Sequence, residues 1–175
     1  MELLTHFLDV CKLVTRCKYL DSGFNLSNTN NNEVYCRISN EFVYAVEAIF
    51  FYRCKKGTKA VWALLNKFTH PCLIDQIDNA GQIDSATGRI RAWVRFSLND
   101  IYGLSSYLRI IGQNFNEIYR PSSVLANQEL LEIFIAQIEG ILSHQLPKFN
   151  VNSTLLNTIQ DNSRIGLLLC QNYSF

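Results

Sequence analysis

The sequence has almost no net charge: Lys and Arg number 16 against 15 Asp and Glu, for a formal +1. A global positive field of the kind that draws nucleic acid is therefore excluded. No apolar stretch approaches the ~20 residues needed to span a bilayer. Any membrane association is expected to be peripheral or partner-mediated. The first apolar run contains Glu2 and Asp9 and lacks a basic leader, so it does not read as a secretory signal. The six cysteines (Cys11, Cys17, Cys36, Cys54, Cys72, Cys170) include no Cys-x-x-Cys pair. They are expected to be reduced and buried, in a cytoplasmic protein. Asn-x-Ser/Thr triplets at Asn25, Asn152 and Asn172 are then chance matches.

Catalytic equipment is missing as well. There is no GxxxxGK[ST] loop, no GxGxxG, no HExxH and no GxSxG elbow. The carboxylates gather into no obvious pair, and His70-Pro71-Cys72 lacks the further ligands of a zinc site. No enzyme, no metal and no cofactor are expected.

What is present is apolar bulk. Residues of apolar type make up 48% of the chain and aromatics 12%. A chain of 175 residues with that content suits one domain. Such a domain hides roughly 70% of its unfolded surface. Local charge is uneven. Arg53, Lys55, Lys56, Lys59 and Lys67 fall in a stretch with no acid. Between Arg89 and Arg120 five arginines face Asp100 and Glu117. Such patches suit an acidic protein surface or anionic lipid.

Helical periodicity runs through the chain, and sustained two-residue alternation does not occur, so the fold is expected to be all-α. Leu3, Leu4, Phe7, Leu8, Cys11, Val14 and Cys17 stripe a first helix over about 2–20. Residues 25–32 are asparagine-rich and are expected to form a polar loop. Ser39 or Asn40 can cap a second helix, whose inner face is Phe42, Val46, Ile49 and Phe50 and which ends near Cys54. A short helix carries Val61, Trp62, Leu64, Leu65 and Phe68. Thr69-His70-Pro71 breaks it, and Pro71 suits the first turn of the next. Asp84 or Ser85 can cap a central helix, on which Ile90, Trp93, Val94, Ser97, Leu98 and Ile101 share one arc. Arg91 and Arg95, four apart, lie on one side of that arc, and Arg89 toward the other. Gly103 separates this helix from one carrying Leu104, Tyr107 and Leu108. Asn127 can cap a long helix to about Gln145, ended by Pro147. A last short helix is expected around Leu155, Leu156 and Ile159, with a further piece from Ile165 to Leu169.

The central block then becomes recognisable. Gly88-Arg89-x-Arg91-Ala92-Trp93-x-Arg95-x-x-Leu98-Asn99, Leu104-x-x-Tyr107-Leu108 and Tyr119-x-Pro121-x-x-x-Leu125 together resemble the RUN domain. Ala45 to Phe50, Val61-Trp62-Ala63-Leu64-Leu65 and Leu130 to Leu142 resemble its second-helix, tryptophan-leucine and late-helix segments. The likeness is strongest over 41–142, within a single domain over 1–175 that has a polar loop at 22–33. Trp62-x-Leu64-Leu65, Thr69-His70, Arg95-x-x-Leu98-Asn99-Asp100 and Leu155-Leu156-Asn157 are similar to the RUN domains of the pleckstrin-homology family M endolysosomal adaptors.

The resemblance implies a bundle of about eight helices. It implies an effector or adaptor that binds a small GTPase in its GTP form, of the Rab, Rap or Arf-like class. Such a module acts in vesicle trafficking, with recruitment to the cytosolic face of endosomes or lysosomes and links to kinesin or other motor components. The family's partner contact maps onto Arg89 and Arg91, and onto the stretch Tyr52, Arg53, Lys55 and Lys56. Here Tyr52-Arg53 stands where the family usually has His-Gly. Trp93, Trp62, Leu98, Tyr107 and Pro121 are expected to be core or structural, and Arg95 to be scaffold.

Two readings of Arg89 and Arg91 stay open and are compatible. They can meet a partner, or their forks can bind helix-end carbonyls or a carboxylate, with Asp75, Asp78 and Glu47 as candidates. The basic loop can likewise be a solvated helix end. Two alternatives to GTPase docking are a motor or cytoskeletal adaptor surface and direct binding of anionic lipid through the basic loop.

Overall fold

The computed structural model describes residues 2–21, 29–100, 103–143, 146 and 148–157, with the side chains of 18–21 and 29–36 left aside. Among the described residues there are seven α-helices, two short 3-10 helices and no strand. An isolated antiparallel bridge joins Cys54 to Tyr119. The fold is an all-α bundle. Its helices are α1 (Glu2–Asp21), α2 (Thr29–Phe51), α3 (Thr58–Phe68), α4 (Pro71–Asp78), α5 (Ala86–Asn99), α6 (Gly103–Ile111) and α7 (Gln128–Leu142). The 3-10 helices span Gly112–Glu117 and Thr154–Asn157.

Local chemistry sets three of the helix starts. Ser85 Oγ accepts from Gly88 N at the start of α5, and Asn127 Oδ1 accepts from Leu130 N at the start of α7. Each satisfies a helix-end donor and is worth about 1 kcal/mol. Pro71 opens α4, where the missing amide costs nothing, and His70 Nδ1 accepts from Cys72 N.

The structure departs from the periodicity at several ends. Helix α2 starts at Thr29, ten residues before the expected cap at Ser39 or Asn40. Ser39 is fully buried inside the helix. The expected loop over 25–32 therefore loses 29–32 to α2, while 22–28 lie outside the described residues. Asparagine costs roughly 0.7 kcal/mol or less per helical position. With neither glycine nor proline from Thr29 onward, packing of the later turns outweighs that cost. Helix α2 ends at Phe51, not Cys54, and α7 at Leu142, short of Gln145. Gly103 opens α6 instead of separating the helices, and a Cβ there would meet the Ser97 carbonyl oxygen at 2.8 Å. The last helix is a 3-10 turn around Leu155 and Leu156, while Ile159, Pro147 and Ile165 to Leu169 lie outside the described residues.

Helix α5 is the hub. Ten of its fourteen residues are buried, so it is enclosed on nearly every side. It packs against α2, α3, α4 and α6, and against the 3-10 turn at 154–157. Trp93 is fully buried, edge-on to Phe50 at 5.6 Å and tilted against Tyr107 at 5.5 Å. Its Nε1 donates to Thr69 Oγ1 at 2.7 Å, and that hydroxyl donates to the Leu65 carbonyl at 2.7 Å. The buried indole N–H is thereby satisfied, which a buried tryptophan requires. Phe7 of α1 packs on Phe42 of α2 and edge-on to Phe134 of α7, so α1 closes the far side.

Candidate functional site

The three arginines of α5 have two different fates. Arg91 and Arg95, one turn apart, both reach Glu47 of α2. Arg95 Nε donates to Glu47 Oε1 at 2.7 Å, and Arg91 Nε lies 3.5 Å from Oε2. All three side chains are below 10% exposed. Arg91 also donates to the Leu156 carbonyl at 3.2 Å, and Arg95 to the Asn150 carbonyl at 3.2 Å. The guanidiniums lie over Phe51 and Tyr44 respectively. Burial pushes the Glu47 carboxyl above its ordinary value, against the pull of Arg95 and then Arg91. Burial also lowers the Arg91 guanidinium, opposed by Glu47. This is a structural ion cluster in which one carboxylate is shared by two forks, and a backbone carbonyl takes a further donor from each.

Arg89 points elsewhere. Its side chain is 36% exposed, 3.2 Å from Asp78 Oδ1, with its guanidinium 5.8 Å from the centre of the Trp62 ring. Of the expected contact pair Arg89 and Arg91, only Arg89 reaches the surface. Two residues along a helix is about 200° of rotation, so the pair could not share a face.

Residues 148–157 run back along α5 and hold the cluster closed. Asn99 makes reciprocal bonds with the Phe149 backbone, donating to O at 3.2 Å and accepting from N at 2.9 Å. Asn152 Oδ1 accepts from Gln82 N. Asn157 Oδ1 accepts from Asp84 N, Ser85 N and Ser85 Oγ, and its Nδ2 donates to the Gln82 carbonyl at 2.7 Å. Gly88 makes room for this clasp: a Cβ there would lie 2.1 Å from Asn157 Oδ1. Phe149 and Leu156 bury their side chains beneath it.

The basic stretch forms a second surface. Tyr52 is half-buried, and Arg53, Lys55 and Lys56 are exposed. The stretch lies against residues 116–123: Lys55 N donates to the Ile118 carbonyl at 2.9 Å and Arg120 N to the Arg53 carbonyl at 3.1 Å. Tyr119 is fully buried and its hydroxyl donates to the Phe50 carbonyl at 2.6 Å. Arg53 takes a left-handed backbone angle, φ 54°. Its guanidinium lies over the Tyr52 ring and donates to Ser122 Oγ. Lys55 Nζ donates to the Asn116 carbonyl. Arg120, also exposed, joins this surface from across the bridge.

The remaining expected residues are placed as follows. Trp93 and Leu98 are in the core, while Trp62 and Tyr107 are half-buried against it. The Tyr107 hydroxyl accepts from His70 N. Pro121, expected to be core or structural, is exposed and lies in the turn that Ser123 N closes on the Arg120 carbonyl. Among the cysteines, Cys11 is buried, Cys17 and Cys54 are half-buried, and Cys72 is exposed, contrary to the expectation of burial. Cys72 sits in the first turn of the short α4, where one side faces solvent. Among the described residues no cluster suits a metal ion, and no helix is long and apolar enough to cross a membrane. Asp78 and Glu47, both among the candidate carboxylates, are the partners of Arg89 and Arg91. Sequence reading missed the added claim of Arg95 on Glu47, the clasp of Asn157, and the entry of Arg120 into the basic surface. The first was reachable: Glu47 is an acid among apolar residues of a helix buried on more than one side, which calls for a cationic partner.

The sequence model of the RUN domain matches residues 3–154 of this chain. Among curated proteins, Pleckstrin homology domain-containing family M member 2 from Homo sapiens is 25% identical over 115 residues, covering 64% of this chain and 11% of that protein. The protein of the same name from Mus musculus shows the same identity and coverage. The chain thus matches about a tenth of the length of these relatives.

Proposed function

The chain belongs to the RUN domain family, a family of protein-interaction modules, and from that premise we propose that it is a small-GTPase effector or adaptor of endolysosomal trafficking. The partner is a GTP-bound small GTPase of the Rab, Rap or Arf-like class. Docking uses the surface where Arg89 stands on Trp62, together with the basic turn of Tyr52, Arg53, Lys55, Lys56 and Arg120. The observation that carries this reading is the separation of the arginines. Arg91 and Arg95 are committed to Glu47, whereas Arg89 is held at the surface by a half-exposed Asp78 and keeps free edges for an acidic partner. Such exposed charges steer encounter and set specificity, while apolar contact around Trp62 supplies affinity. Preference for the GTP form follows from the switch segments changing with nucleotide. Recruitment by a membrane-bound GTPase places the chain on the cytosolic face of endosomes or lysosomes.

The test is a panel of purified small GTPases, each loaded with a non-hydrolysable GTP analogue or with GDP. The reading requires a partner that binds in the GTP form and loses tenfold or more in affinity with Arg89→Glu. Binding that ignores nucleotide, or survives Arg89→Glu combined with Arg53→Glu, contradicts it.

A second reading rests on the four cations exposed on the pinned turn. On that reading the turn binds anionic lipid directly. It requires vesicle binding without any protein partner, weakening steeply with salt.

A further inference from the structure

We propose that Ser122 is a phosphorylation site and that Arg53 is the built-in receptor for its phosphate. The two chain segments that meet here, 52–56 and 116–123, carry Arg53, Lys55, Lys56 and Arg120 against a single acid, Glu117. Among the described residues no carboxylate lies at ion-pair distance from Arg53. Its guanidinium instead donates to the hydroxyl of Ser122, 69 residues away in sequence. The two segments are joined through backbone: Arg53 takes a left-handed angle and its carbonyl accepts from Arg120 N. A guanidinium has five donors in a planar fork matched to phosphate, and a neutral hydroxyl uses little of that capacity.

The neighbouring serines differ in access. Ser122 is exposed in the turn after Arg120-Pro121. Ser123 is fully buried, its hydroxyl turned to the Tyr52 carbonyl. Only Ser122 can enter a kinase active site without unfolding the turn, and Arg120 two residues before it offers the basic handle that acidic substrate grooves read. In the reaction, Ser122 Oγ forms a bond to the γ-phosphorus of ATP held by a protein kinase. The bond from that phosphorus to the β-bridging oxygen breaks, ADP leaves, and the hydroxyl proton passes to the kinase's base.

The product carries about −1.5 to −2 charge and three acceptor oxygens beside Arg53. It ties 52–56 more firmly to 116–123 and offsets about half or more of the net positive charge of this surface. Steering of an acidic partner is thereby weakened, a consequence that rests on the docking reading. The phosphate receptor itself does not.

The experiment incorporates phosphoserine at position 122 of the full chain and follows its phosphorus resonance through a pH titration. With Arg53 in place, the second phosphate pKa falls by about half a unit or more relative to Arg53→Gln and to the same chain unfolded in urea. Equal values in all three overturn the receptor. In parallel, the unmodified chain is incubated with ATP and an arginine-directed serine kinase, and modified residues are mapped by mass spectrometry. Incorporation at Ser122, abolished by Ser122→Ala, supports the site, and incorporation only at other serines overturns it. Neither readout uses a GTPase, so a failure here is distinct from a failure of the docking proposal.

Discussion

Arginine does opposite jobs at two places in this molecule. Inside, Arg91 and Arg95 are nearly sealed from water and share Glu47. Outside, Arg89 and Arg53 keep much of their hydration: one faces a half-exposed aspartate, the other a serine hydroxyl. The inner pair acts within the fold: both arginines compensate the buried Glu47 carboxylate, and loss of Glu47 would leave two buried guanidiniums without it. The outer pair contributes little to folding, because exposed ion pairs are worth about 0–1 kcal/mol. Residues of the same type within one heptad therefore belong to different stages of the causal chain. Arg91 and Arg95 are packed into the fold, and Arg89 is the one proposed for recognition.

The largest effect that sharpens this contrast is expected at Glu47. Glu47→Ala strands two buried guanidiniums and should cost about 3–5 kcal/mol, read by denaturant unfolding. A loss below about 1 kcal/mol would mean that the cluster is hydrated and the division between inner and outer arginines is false. Next comes the clasp. Asn157→Ala removes acceptors from the start of α5 and should cost about 1–2 kcal/mol, while raising hydrogen exchange across 148–157. An unchanged exchange pattern would show that Phe149 and Leu156 suffice to hold the segment.

Cysteine chemistry separates inside from outside without a mutation. Burial pushes the Cys11 thiol up to about 12, so it should resist alkylation until the chain unfolds. The exposed Cys72 should be alkylated in the folded chain, well before Cys11. Early labelling of Cys11 would contradict the packing of α1.

The smallest effect concerns His6, half-buried on α1, where burial lowers its pKa below the ordinary value and Asp9 partly restores it. The unfolded chain then binds the proton more readily than the folded one just below pH about 6.5. Stability is therefore present above that pH and is lost as pH falls toward the depressed folded value. A modest drop in melting temperature on going from pH about 7.5 to about 5.5, flattened in His6→Gln, is the expected outcome.

Much of the scaffold was legible because it is written in local chemistry. Ser85, Asn127 and Pro71 mark helix ends by their own hydrogen bonding, and Trp93 marks the core by its place on the wheel. The start of α2 was not legible, since propensity at 29–32 favours a turn and only packing further along decides otherwise. The candidate surface was half legible. The resemblance pointed to Arg89 and Arg91 together, and the structure places Arg89 at the surface and Arg91 against Glu47. Which of them turns inward depends on Glu47, 44 residues earlier, and that pairing is tertiary information. The same holds for Gly88 and Asn157, whose link appears only when 148–157 folds back along α5.

The division between Arg89 and Arg91 is tested most directly by one paired measurement. Arg89→Ala and Arg91→Ala are each examined for thermal unfolding and for binding to the GTP-loaded partner found in the panel. Arg89→Ala should melt like the parent, within about 0.5 kcal/mol, and lose most of its binding. Arg91→Ala should lose about 1–3 kcal/mol of stability, because the Leu156 carbonyl loses its charged donor, and should bind at low temperature in proportion to its folded fraction. Equal loss of binding from folded protein in both variants, or a stable Arg91→Ala, would contradict the account.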